Sequence, residues 1–516
     1  MFNFEDFIKQ HFYIGIGIFG IGLFFGIIYS LNLLGLVIDS SLLNPSYIRS
    51  IHISLMLYGF IPLMLSLLPF LLIYQDIGLS SKVLELLQKY FILWYIFLLF
   101  MVMTLLFGVN RGLAFYDFHY SLNFILAFAG LFYILALYKA IKGYIILPLW
   151  IKVSLVVVTL APIILLFLMN PVVGQVEATI SGPHGDNTLG MSFALIPIYY
   201  LVIKYLSGGK FIARWHTLWI IPFIFYIISI IYRASISELS YDAEWFFQWL
   251  TLLYIPLLYR WYQDAIIDDK RLLLISIVAF LFVDIEGNIL FIESIRWIFH
   301  RNNLIIAHAH IAMGVGVMFL MLSLYAKFIP KLLCKKFLYY YLGGMIGILI
   351  SLSIVGFVEA NLIKLDIPTL WIIRTISGLV LFASLIIFIK FNFNFTKINL
   401  YNLGGVLADG VGGVLLILFG EFIYKLVGFS FVGVYQYIVF GFVIGTGIIH
   451  IMGLIYPNNG YIFAKLTMII RFLISSIFLA LFLSNQLGIE GLGIAMFDLF
   501  YGFIFLFGFY RLSNNW

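Results

Sequence analysis

Cysteine is nearly missing from this 516-residue chain, Cys334 being its one example. An internal disulfide is therefore excluded, and so is a thiolate metal cluster; histidine, carboxylate or a porphyrin must hold any metal. Charge is scarce too: charged residues make up 10% of the chain, against roughly 25% in soluble domains, so a separate soluble domain has no stretch in which to form. The net charge of +6 comes from basic residues standing singly between apolar runs. Nucleic acid is gripped by clustered basic patches, and none is present, so nucleic-acid binding is excluded. No small-residue cleavage site follows the first apolar run, and the first helix is expected to be retained.

Apolar residues fill the space instead. They make up 64% of the chain, and the mean hydropathy is +1.12. A helix needs about 20 apolar residues to cross a hydrocarbon layer of roughly 30 Å. Runs of that kind lie near 12–38, 47–75, 88–108, 119–141, 145–170, 185–206, 215–233, 245–262, 272–293, 302–327, 337–358, 369–391, 405–427, 431–455, 463–484 and 491–512. The pattern predicts an all-α, polytopic membrane helix bundle of sixteen spans lying in lipid. The last four are the least regular, with Gly410, Gly412 and Gly413 marking kinks or interfacial segments, and YNLGGVLADGVGG reads also as a tight helix-packing segment whose small residues let backbones approach closely. With the N-terminus in the cytoplasm, inner loops collect basic residues such as Lys82, Lys89, Lys139, Lys142, Lys210, Arg214, Lys331 and Lys335. Outer loops collect Asp39, Asp117, Glu177, Glu238, Asp242, Glu244, Glu359 and Asp366. That bias of Lys and Arg sets the expected orientation in the cytoplasmic membrane.

Six of nine histidines, namely His52, His119, His184, His300, His308 and His310, then fall at or near outer helix ends, while His11, His216 and His450 fall near inner ends. Imidazoles sharing one depth in a membrane ask for partners such as metals, heme propionates or one another. Singly, His119 and His300 read equally well as interfacial residues facing headgroups. The sharpest signal is AHAHIAMGVGVMF, in which His308 and His310 are two residues apart. At about 100° per residue the pair projects to nearly opposite faces of one helix. One helix can thus ligate two cofactors, and His52 in IRSIHISLMLYGF can supply a second axial ligand to one of them. Two axial imidazoles make a low-spin, electron-transferring heme, whereas one leaves a position open for substrate. By geometry alone, a His-x-His pair lines a polar pathway equally well.

At these residues the chain resembles subunit I of the heme–copper oxidase superfamily, closest to the cbb-type cytochrome c oxidases and the large subunit of nitric oxide reductases. The resemblance runs over about residues 10–395, in order through IRSIH at 48–52, GVNRGLAFYDF at 108–118, GDNTLGMSFALIPIYYLVIK at 185–204, IEGN at 285–288 and FHRNNLIIAHAH at 299–310. It implies a twelve-helix core over 1–395, with 396–516 adding about four helices. It also implies two b-type hemes toward the outer side. His308 would be the proximal ligand of the high-spin heme, and His52 and His310 would enclose the low-spin heme. Arg49 belongs to the Arg-x-x-His pattern, His300 matches a histidine near the propionates, and Glu286 matches a glutamate serving as a proton-path or supporting residue. Glu359 is a second membrane-associated acid suited to proton relay.

The chain departs from the family at the non-heme metal. Asp186 stands where the sixth helix has a histidine, and residues 216–236 contain His216 alone in place of a His-His pair. Asp186, Glu238, Asp242 and Glu244, together with His184, form an oxygen-rich set that could hold iron or another hard ion, with Asp186 and His184 the better candidates, but copper is not expected from such ligands. Asp186 reads also as a helix cap, and Glu238, Asp242 and Glu244 as solvated loop charges. The implied function is an oxidoreductase that passes electrons from the low-spin to the high-spin heme and reduces a small gas, nitric oxide in preference to oxygen. No Cys-x-x-Cys-His attachment run occurs, so a separate cytochrome c subunit or quinol would donate electrons. Two alternatives stand beside it: a non-catalytic diheme conduit or gas sensor, and a heme-free transporter.

Overall fold

The computed structural model describes residues 3–36, 41–112, 116–167, 185–237, 240–299, 302–388, 396–426, 430–456 and 459–509. Among them every regular element is helical, as a chain that must satisfy its backbone inside lipid requires. The protein is an integral, multi-pass, all-α membrane bundle. Eleven of its described helices are long and apolar enough to cross a membrane, from Phe4–Leu33 to Gly460–Leu483. Of the sixteen expected runs, eleven meet that requirement among the described residues. The runs near 185–206, 215–233 and 491–512 contain shorter apolar helices, Leu195–Leu206, Thr217–Ser229 and Gly491–Phe505. Residues 245–262, expected as one span, are broken into Tyr241–Trp249, a tight turn at Leu250–Leu253, and Tyr254–Asp264. Hydropathy alone does not reveal such a break, because the turn LTLL is itself apolar.

The chain divides into two compact units, Met1–Val37 with Asn44–Lys390 and Ile38–Leu43 with Phe391–Trp516. The core of the first is aromatic: Phe7, Phe12, Phe60, Phe70, Phe91 and Tyr325 are all inaccessible. Its second span, Pro45–Ile77, is interrupted at Gly59 and Ser66. Pro62 has no N–H to offer the carbonyl four residues back, and that Tyr58 oxygen accepts from Trp94 Nε1 at 2.8 Å. Near the second interruption, the Met64 and Ser66 carbonyls accept from the hydroxyls of Tyr325 and Tyr133 at 2.6 and 2.7 Å. Side chains of three other helices thus supply what the bent backbone lacks, as buried carbonyls demand.

In the second unit, residues 397–426 run as one helical path through a π turn at Val406–Val411. The glycines of this stretch admit neighbours, as a tight helix-packing segment requires. A side chain at Gly447 would collide with the Gly410 backbone, and one at Gly413 with Ile444. Small residues here let backbones approach where hydrophobicity gives no drive between helices.

Candidate functional site

The Asn303–Ile311 helix carries both AHAH histidines, and its start is fixed from two directions. Asn302 caps it, accepting from Leu304 N at 2.9 Å. Glu359, at the end of Lys335–Glu359, accepts from Asn303 N and Asn303 Nδ2 at 2.8 and 2.6 Å. Glu359, expected as a proton relay, thus serves as a helix-start partner.

The helix runs from His310 directly into a π turn, Ala312–Val317. That turn alters the hydrogen-bonding pattern just past the histidines, a placement common at functional sites. Two of its carbonyls are held from outside: Gly314 O accepts from Tyr341 Oη at 2.8 Å, and Gly316 O from Ser276 Oγ at 2.6 Å. Ser276 in turn lies 2.7 Å from Tyr199 Oη.

The two imidazoles face different neighbours. His308 Nδ1 lies 3.1 Å from Glu286 Oε2 on Arg271–Leu290. His310 faces His52 on Pro45–Tyr58, with ring centres 6.3 Å apart and planes 24° from parallel. Each of these two rings spends Nδ1 on a backbone carbonyl, His52 on Gly22 O and His310 on Ile306 O, both at 2.8 Å. Carbonyls only accept, so Nδ1 carries the proton in both rings and Nε2 keeps its lone pair. This second interaction fixes tautomer and orientation as it does for metal-bound histidines.

The spacing can be tested against an iron. With metal–imidazole bonds of about 2 Å, opposed Nε2 atoms stand about 4 Å apart, and adding about 1 Å from each nitrogen to its ring centre gives roughly 6 Å. The observed separation fits that value. His52, His308 and His310 are all only half-buried, so space remains beside rings that lie inside a helix bundle. The first helix makes room for this arrangement. A Cβ on Gly26 would come within 2.8 Å of the His52 ring, and one on Gly22 within 2.5 Å of Met56.

Arg374, on Ile367–Phe388, lies near both rings, close enough for its charge to act on each. Its guanidinium stacks over Tyr29 and Trp371, and among the described residues no carboxylate pairs with it. Sequence reasoning passed over it, although an arginine inside an apolar run was the available signal. Asp284 adds a buried polar set on the His308 side. Asn288 Nδ2 donates to Thr251 Oγ1 at 3.1 Å, while Asp284 Oδ2, Asn288 Oδ1 and Tyr254 Oη are buried without a hydrogen-bond partner. Gly287 lies against this region, and a Cβ there would make ordinary contact with His308 Cε1 at 3.4 Å and Gln248 Nε2 at 3.7 Å.

Other expected residues fall elsewhere. Arg49 is exposed, one turn before His52. His119 caps the short helix Tyr120–Leu122, with Nδ1 2.7 Å from Ser121 Oγ. His11 is a satisfied core residue between Tyr95 and Gln88, and His216 is exposed. Asp117, in the loop that resembles the family's, accepts from the backbone of Arg111 and Gly112 at 3.0 and 2.7 Å. His184, His300 and Glu238 lie outside the described residues, as do the side chains of Asp186, Asp242 and Glu244. Among the described residues no group of three His, Cys, Asp or Glu side chains is placed to hold a metal ion. Compared with models of known protein families and with curated proteins, the chain matches none.

Proposed function

We propose that this chain is the catalytic subunit of a membrane reductase of the heme–copper oxidase type, with residues 1–395 as a twelve-helix core and 396–516 as a four-helix addition. Two b-type hemes would lie toward the outer face of the cytoplasmic membrane, and the reaction they would serve is electron transfer from a low-spin to a high-spin heme for reduction of a small gas, nitric oxide in preference to oxygen. One observation carries the reading: His52 and His310 face each other at 6.3 Å with both Nδ1 atoms committed to carbonyls. A polar pathway or transporter lining gives no reason for that pair of fixed tautomers.

Bound heme would supply one-electron chemistry at a bis-imidazole iron and an open iron position for the gas. His52 and His310 would hold the first heme and His308 the second. Glu286 accepts the Nδ1 proton of His308, which orients the ring and makes its other nitrogen more basic. Asp284, buried beside this pair, provides a second acid within the membrane. Asp186 with His184 is the residue pair proposed for a non-heme iron or other hard ion, and copper has no suitable ligands there. A cytochrome c subunit or quinol would deliver the electrons.

The experiment is heme and metal quantification on purified protein, followed by optical and ligand-binding difference spectra. Two hemes per chain are expected, one of them binding carbon monoxide. Replacing His52 or His310 with alanine should abolish the low-spin signal while sparing the ligand-binding heme. Colourless protein from heme-replete cells would refute the reading. A second reading, a diheme conduit or sensor without turnover, draws on the described Thr217–Ser235 helix, which carries no imidazole along its length. Bound hemes with no nitric oxide or oxygen consumption would favour it.

A further inference from the structure

Four ionisable side chains meet inside the second unit, each from a different helical path. They are Asp409 on the π turn Val406–Val411, His450 on Val434–Ile455, Arg471 on Gly460–Leu483 and Asp498 on Ile489–Phe509. All are buried, His450 completely. The Arg471 guanidinium donates to both carboxylates, through Nη2 to Asp409 and Nη1 to Asp498. One guanidinium against two carboxylates leaves a formal charge of −1. An uncompensated charge inside a membrane helix bundle is costly.

The imidazole shows where compensation enters. Asn402 Nδ2 donates to Gly460 O at 3.3 Å, which turns Asn402 Oδ1 toward His450 Nδ1 at 3.0 Å. Since that oxygen accepts, Nδ1 carries a proton, and neutral His450 must present a bare lone pair at Nε2. Nε2 is buried without a hydrogen-bond partner and lies 3.7 Å from Asp409 Oδ2. Two acceptors face each other, Asp409 Oδ2 already accepting from Arg471, and a proton on Nε2 would give the imidazole its missing partner. Gly405 admits the His450 ring, and a Cβ at Gly453 would come within 2.6 Å of Asn402.

We propose that this cluster is a proton-binding site: one proton from bulk water is taken up at His450 Nε2, forming an N–H bond directed at Asp409 and bringing the cluster from −1 to neutral. The other groups packed around it are the Tyr401 and Tyr501 rings, with His450 centred 5.4 Å from the first and Arg471 4.2 Å over the second. Tyr501 Oη donates to Tyr401 O at 2.8 Å. Lys397, Glu421, Lys425 and Lys465 on the neighbouring elements are exposed. An imidazole is a proton acceptor and a poor ligand for sodium, which decides between the two monovalent cations.

The test uses the full-length protein in lipid nanodiscs, carrying ring-labelled histidine and followed by infrared difference spectroscopy across a pH titration. Wild type should show an imidazole–imidazolium transition that is absent from His450→Gln. Asp498→Asn keeps an oxygen for Arg471 but removes one negative charge. It should lower the affinity for the proton at least tenfold, moving the transition at least one pH unit toward acid. A wild-type spectrum with no transition that His450→Gln removes overturns the proposal, and so does displacement of the transition by added sodium chloride. If Asp498→Asn does not fold, His450→Gln and the sodium titration still decide.

Discussion

Gly26→Ala places a methyl 2.8 Å from His52 Cε1 and Nδ1, where carbon contacts settle at about 3.5–4.0 Å, so the ring must retreat by roughly 0.7 Å or more. It is tethered by its 2.8 Å hydrogen bond to Gly22 O, and a retreat of that size carries Nδ1 to about the 3.5 Å limit of the bond. Overpacking costs about 1–3 kcal/mol, and the lost hydrogen bond about 1 kcal/mol more. Much of this is relieved if His52 leaves its place opposite His310. Two kcal/mol shifts such a balance by about 30-fold, so the low-spin heme signal should largely convert to high-spin in optical and paramagnetic resonance spectra. Gly17→Ala is the control, since a Cβ there meets nothing within 4 Å on the same helix. A folded Gly26→Ala protein with the same low-spin spectrum as Gly17→Ala would refute the claim that His52 is an axial ligand held by this contact.

Glu286→Gln weakens the acceptor for His308 Nδ1, because a hydrogen bond to a carboxylate is about twice as strong as a neutral one. The less basic imidazole should raise the midpoint potential of the ligand-binding heme, by about 40 mV for each kcal/mol lost, in a redox titration that leaves the low-spin heme unmoved. Ser276→Ala takes the donor from Gly316 O and a partner from Tyr199. Thermal unfolding should show a loss of about 1–3 kcal/mol for the groups left unpaired. Asp366, exposed just before Ile367–Phe388, is held below the usual carboxylate range by hydrogen bonds from the Thr369 side chain and backbone. Its cap is therefore fully present above the unfolded value of about 4 and fades as pH falls through the lower folded value. The melting-temperature gap between wild type and Asp366→Asn should be open at neutral pH and close in acid.

Taken together, the two buried sites use one physical device. In each, a histidine's Nδ1 is committed to an oxygen acceptor, which leaves Nε2 of the neutral ring with a lone pair; His52 and His310 stand with ring centres 6.3 Å apart, and His450 Nε2 lies toward a carboxylate. The partner differs because the surroundings differ. Half-open space between two neutral rings suits a metal-centred group, whereas a closed pocket with an excess carboxylate suits a proton.

Membrane residence and an all-helical fold were legible from composition, because a chain with so few charges has no other way to satisfy its backbone in lipid. The opposed directions of His308 and His310 were equally legible, since two residues of helix turn by about 200° whatever surrounds them. The facing of His52 and His310 depended on how closely the first helix lets the second approach, which Gly22 and Gly26 permit but do not announce. The break at Leu250–Leu253 was hidden because an apolar turn and an apolar helix share one hydropathy. Asp409, His450, Arg471 and Asp498 are separated by 21 to 41 residues along the chain, a spacing that says nothing of contact. Only helix packing set one guanidinium between two carboxylates and aimed an imidazole at them, because in lipid it is close backbone approach and polar pairing, not hydrophobicity, that decides which helices meet.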